Sequence, residues 1–192
     1  MMTAQALLST LQQNEFLYLV ANQGNKKVWF APSLPKALPV SDKEVVVLAE
    51  ENSLPDGHFT PISKALSGWM SFWQHFGPRC SSATLFMSIS PKRSNASTIE
   101  IVVGAHSRES SAKEAGYLHY GLDDGFITSL CAGIKEGLQS VVSHPVAELR
   151  VSITNAIVSE IESSPQSFEW LGQWLTEALL VEACKRGIIS GI

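Results

Sequence analysis

Leu149, Val151 and Ile153 alternate with Glu148, Arg150, Ser152 and Thr154, a period of two that predicts a strand with one buried and one wet face. Downstream the period changes. Phe168, Leu171, Leu175, Ala178, Leu179 and Ala183 share one stripe of a helix, with Thr176 on its predicted outer face. Ser163 and Gln166 match a capping box, and Pro165 suits the first turn, where a missing N–H costs nothing. Lys185 and Arg186 complement the negative helix end, and Gly187 supplies a left-handed cap. Between strand and helix, Asn155 to Glu162 follows neither period and reads as an irregular, exposed tip.

The same reading carries upstream. Phe126, Leu130, Ile134 and Leu138 recur every four residues, with Ile127, Cys131 and Val141 widening the stripe, so 125–142 is predicted as a helix. Asp123 or Asp124 caps its start. Strands are predicted over 16–20, 27–30, 45–49, 83–90, 98–104 and 117–122, the first two joined as a hairpin through Asn22-Gln23-Gly24-Asn25. Short helical spacing marks Thr3–Gln13. Ile62–Phe76 carries Leu66, Trp69, Met70 and Trp73 at helical spacing and is predicted as a helix stopped by Gly77-Pro78. Its stripe of Trp69, Trp73 and Phe76 is either a stacking platform or core, and amphipathic helices favour core.

The polar connection Pro91–Ser97 is the best boundary in the chain. It separates an N-terminal α/β region, 1–95, from a C-terminal unit, 96–192. The predicted fold is α+β: a C-terminal split β-α-β unit packs its helices on one face of a mostly antiparallel sheet. The N-terminal region either extends that sheet or forms a second small layer.

Composition narrows the function classes. With 45 % hydrophobic and 17 % charged residues in 192, the chain has material for a buried core. A net charge of −4 disfavours a module that coats phosphates, while leaving room for a local basic patch. Three cysteines, Cys80, Cys131 and Cys184, about fifty residues apart, fit neither a disulfide framework nor a zinc site and read as reduced, with Cys131 and Cys184 in apolar helical runs as small core residues. No apolar run is long enough to span a bilayer, and the N-terminus lacks a signal-peptide pattern, so a cytoplasmic protein without membrane contact is expected.

Candidate chemistry is sparse. The five histidines share no ligand spacing. His106 and His119 flank one loop and, with Asp123 or Asp124, make a metal or acid–base site conceivable; surface histidines at strand ends are the plainer account. Asp123-Asp124 is more simply a helix start than a magnesium pair. Nothing reads Gly-x-x-x-x-Gly-Lys-Ser/Thr, so no nucleotide is expected, nor any metal or other cofactor. No nucleophile elbow is present and no cysteine has a histidine beside it in sequence, so the balance is against an enzyme.

Two segments carry a resemblance. Gly133-Ile134-Lys135-Glu136-Gly137-Leu138-Gln139, and Val151 through Phe168 with Glu160 and Ser163-Ser164, resemble the fourth domain of translation elongation factor G and its relatives, as does the helix end at Glu182-Ala183-Cys184-Lys185. The resemblance covers Asp123 to Gly187. It implies a tip that reaches toward the ribosomal decoding region. Ser159 stands where the family has a histidine, and the second family tip, here Ser107–Gly116, has Arg108 and Lys113 but no glycine pair. The expected function is a non-catalytic binding protein contacting RNA or a ribosome-associated partner. Its candidate binding residues are Asn155, Ile157, Val158, Ser159, Arg108 and Lys113. The alternatives are a protein-interaction or assembly module without RNA binding, and a small enzyme with a site between the two halves.

Overall fold

The structure, a computed structural model, describes residues 18–23, 25–36, 45–51, 61–92, 98–104, 118–140 and 148–189. The predicted helix over 3–13, the loop bearing Arg108 and Lys113, and His106 lie outside them. Among the described residues eight strands form one open sheet: β1 Tyr18–Gln23, β2 Lys26–Ala31, β3 Val45–Glu51, β4 Leu66–Phe76, β5 Arg79–Pro91, β6 Thr98–Val103, β7 Leu118–Tyr120 and β8 Leu149–Ser159. Their spatial order is β1-β2-β4-β5-β8-β6-β3, and β7 also pairs with β8. Strands from both sides of residue 95 therefore interleave in a single sheet.

All pairings are antiparallel except β6 with β8. Helix α1, Asp124–Ser140, crosses between these two parallel strands, and α2, Pro165–Lys185, follows β8. The mixed α+β class with a mostly antiparallel sheet is as the sequence predicts. Both helices pack on one face, where Phe30, Met70, Phe72, Leu85, Met87, Val151 and Ile153 meet Leu130, Ile134, Phe168, Leu171 and Leu175 in a continuous core. The opposite face buries a smaller cluster around Trp69, Phe86 and Ile157.

The segment predicted as a helix over 62–76 is mostly strand β4. Leu66, Met70 and Phe72 point to the helices while Trp69 points to the other cluster, and both faces are buried. A central strand covered on both sides fills both phases with apolar residues, so spacings of three and four arise by coincidence. Its aromatic content favours the pleated surface over a helix. Gly77-Pro78 is the two-residue loop of the β4–β5 hairpin, with Gly77 at φ 59°, a conformation available to glycine at no steric cost.

Strand β8 runs five residues past the predicted end of its alternation. Phe86 pairs with Asn155 and Met87 with Ile153, so Thr154 is the extra residue of a β-bulge. The bulge advances the phase by one: Ile153 and Ala156 both face the main core, and Ile157 faces the second cluster. A one-residue phase shift reads in sequence as the end of a strand.

Capping follows the predicted chemistry with one shift. Asp123 Oδ1 accepts from Phe126 N at 3.2 Å at the start of α1. The box of α2 is formed by Ser164 and Ser167 instead of Ser163 and Gln166: Ser167 N donates to Ser164 Oγ at 3.2 Å and Ser164 N to Ser167 Oγ at 2.8 Å. Ser163 is engaged elsewhere, accepting from Ser159 N at 2.9 Å and donating to Ser82 O at 2.7 Å. Gly187 takes the left-handed cap at φ 64°. Thr176, expected on the outer face of α2, is wholly buried against α1.

Candidate functional site

The residues singled out for the tip do not form an exposed surface. Asn155, Ile157, Val158 and Ser159 are all buried in β8. The physical reason is the bulge, which keeps the strand paired with β5 on one edge and β7 on the other. The exposed turn comes later, at Glu160–Glu162, where Ile161 is 77 % exposed. It is fastened underneath by Glu162 N donating to Ser159 Oγ at 3.1 Å and Ser82 N to Glu162 O at 3.2 Å.

The other candidates are also relocated. Trp69 is buried with its ring 6.2 Å from Phe86, and half-buried Trp73 meets the His75 ring edge-on at 4.3 Å, so they form no joint stacking platform. His119 lies in β7 opposite Val158, and Asp123 caps α1. Across the β4–β5 hairpin, Cys80 Sγ stands 3.2 Å from His75 Nδ1, a pair invisible to adjacency in sequence because register creates it. Among the described residues no group of three or more His, Cys, Asp and Glu side chains gathers to hold a metal.

What the fold builds instead is a groove of about 600 Å³ between β2 and α2, on the helix-bearing face. Strand alternation aims Val28 and Phe30 into it from β2, between Lys26 and Pro32 at the two ends. From α2, Trp174, Ala178, Val181 and Lys185 follow one another at spacings of three and four, a second stripe beside the core stripe. Met70 of β4 contributes to the apolar lining.

Each end of the groove carries a lysine. The Lys26 ammonium sits 3.8 Å above the centre of the Trp174 ring, a cation–π contact. Burial lowers its pKa from the ordinary lysine value, because desolvation disfavours the charged form. Trp174 is in turn held by stacking on Trp170 and by an edge contact to Phe72 at 5.8 Å. Two carboxylates also line the groove, both engaged. Glu177 Oε1 accepts from Ser140 Oγ at 2.8 Å and Gln173 Nε2 at 3.0 Å, and Glu182 pairs with Arg186 at 2.7 Å.

Sequence reasoning missed this site. The signal was present in the α2 stripe Trp174-Ala178-Val181-Lys185, which exceeds the core stripe by two large apolar residues. Val181 is 37 % exposed, an apolar side chain that the fold leaves open to water.

No family model matches the chain, and no curated protein matches it. A similar solved structure is the crystal structure of ttk003000868 from Thermus thermophilus, at a TM-score of 0.49 and 16 % identity over 65 % of this chain. The chain spans about 17 % of the length of that protein. No described helix is long and apolar enough to cross a membrane.

Proposed function

We propose that this chain is a non-catalytic binding protein whose working surface is the β2–α2 groove and whose partner is another protein. The observation that carries this reading is the groove itself: an apolar lining with half-exposed Val181, closed at each end by a lysine. Its shape is that of a seat for side chains, and its mixed charge suits a protein better than a phosphate backbone. Val181→Arg fills the groove from an exposed position and leaves the core alone. Tagged parent and variant, both checked for an unchanged melting curve, are used to capture partners from native lysate. Partners retained by the parent and lost by the variant support the reading; identical captures refute it.

A second reading keeps the chain as a cytoplasmic relative of the elongation-factor-G fourth domain that contacts RNA or a ribosome-associated partner. It rests on the residues from Asp123 to Gly187 that carry the resemblance. The exposed turn it would use holds Glu160 and Glu162, whose carboxylates favour a protein surface over bare RNA. Co-sedimentation with ribosomes, parent against Ile161→Ser, tests it. No association by the parent removes it.

A further inference from the structure

Resting on the groove reading above, we infer that the groove receives an amphipathic helix whose apolar stripe is flanked by a carboxylate at each end. Among the described residues neither Lys26 nor Lys185 makes an ion pair, whereas Glu182 is ion-paired with Arg186 and Glu177 already accepts two hydrogen bonds. Lys26 and Lys185, at the two ends, are therefore cations without an ion-pair partner among the described residues, while Glu177 is tied to Ser140 of α1 and Gln173. Val28, Phe30, Met70, Trp174, Ala178 and Val181 lie between.

The spacing selects the occupant. Lys26 stands over Trp174, and Lys185 lies eleven residues further along α2 (185 less 174), which at a rise of about 1.5 Å per residue is roughly 16 Å. A ligand with a single acidic head and an apolar tail answers one lysine and leaves the other unmatched. An extended peptide needs a free strand edge for its backbone, and β2 is paired on both edges, by β1 and β4. A helix satisfies its own backbone and presents only side chains. Three turns of it cover the same 16 Å, with apolar residues at every third and fourth position meeting the partly exposed Trp174, Ala178 and Val181 and an acidic residue at either end meeting a lysine.

The test uses a labelled synthetic helix of about fourteen residues, with leucines at the first, fourth, fifth and eighth positions of its stripe and glutamates about eleven residues apart. A partner probe carries lysines in place of the glutamates. Binding is read by anisotropy and by the change in tryptophan fluorescence, with Trp174→Phe identifying the part that comes from Trp174. The parent is expected to hold the glutamate probe at least tenfold more tightly than the lysine probe. The double variant Lys26→Glu, Lys185→Glu is expected to reverse that order while still melting in one cooperative transition, a few degrees below the parent because the cation–π contact and the helix-end charge are lost. Equal binding of the two probes, an unchanged order in the double variant, or no saturable binding of either overturns the inference. Fluorescence change with oleate but neither peptide also overturns it and identifies a lipid site. If Val181→Arg still abolishes lysate capture while the probes fail, the groove reading stands without this occupant; if capture is indifferent to Val181→Arg, the reading itself falls.

Discussion

Replacing Gly133 by alanine puts a methyl group where the fold has left room for none. A Cβ built on Gly133 lies 1.9 Å from Glu169 O and 2.7 Å from its carbonyl carbon, against 3.4 Å or more for ordinary contact. The obstacle is backbone of α2 and cannot rotate aside, so the helices must part by about 1.5 Å, the difference between 3.4 and 1.9. Gly137 and Gly172 interlock at the same crossing, each with a built Cβ 2.7–2.8 Å from the facing helix. Parting loosens Leu130, Ile134, Leu171 and Leu175 beneath. Overpacking costs about 1–3 kcal/mol and occasionally more, and an immovable backbone obstacle places Gly133→Ala at or just beyond the upper end, about 3–4 kcal/mol. Alanine returns about 1 kcal/mol through helix propensity. The net expectation for Gly133→Ala is a loss of about 2–3 kcal/mol, or roughly 4–12 °C in Tm at this chain length. Urea unfolding followed by circular dichroism measures it. Gly125→Ala is the control: its Cβ meets only Asp123 Oδ1 at 3.4 Å, so it is expected between neutral and about 1 kcal/mol more stable. Gly133→Ala matching or exceeding the parent refutes the close crossing.

The same unfolding assay checks four further expectations. Leu175→Asp and Thr176→Asp, both at wholly buried positions of α2, are each expected to lose several kcal/mol, so a neutral Thr176→Asp would return Thr176 to the outer face. Ile157→Ser is expected to lose about 2–4 kcal/mol and Ile161→Ser to stay within about 0.5 kcal/mol; equal effects would mean that β8 ends before the bulge. Ser164→Ala removes the cap of α2 and is expected to cost about 1 kcal/mol, with no loss pointing to a different helix start. Gly77→Ala has open space for its methyl but a φ of 59°, so a cost of about 1–2 kcal/mol is expected, and a neutral result would exclude the left-handed turn.

Where one periodicity ruled, the sequence disclosed the fold. The stripe of α1, the cap at Asp123, the alternation up to Ile153 and the glycine at the end of α2 each have a local cause, and each stands close to its predicted place. The readings failed where two causes overlapped. In β4, burial on both faces overlays the strand period with apolar residues of the other phase. In β8, Thr154 shifts the phase at a residue whose chemistry does not announce a bulge. Gly133 and Gly137 stand four apart in the sequence of α1, but their close approach to Glu169 and Gln173 depends on a helix thirty residues away.

The groove follows from the count of elements, and misreading β4 hid it. Two helices of about 10 Å width span roughly 20 Å, enough for about four strands at 4.8 Å spacing. The sheet path has seven strands across, so the two described helices cannot roof it. Helix α2 lies over β4 and β5, and β2 projects beyond it with Val28 and Phe30 still aimed inward. Reading Ile62–Phe76 as a third helix removes a strand and adds a cover, and the mismatch vanishes with it. With β4 in the sheet, the strip beside α2 lies outside the cover of the two described helices. The fold leaves a stripe of tryptophan, alanine and valine facing it, where a purely solvated helix face would carry charge. Lys26 and Lys185 then mark the ends of that strip, far apart in sequence, and only the packing of β2 beside α2 makes them one site.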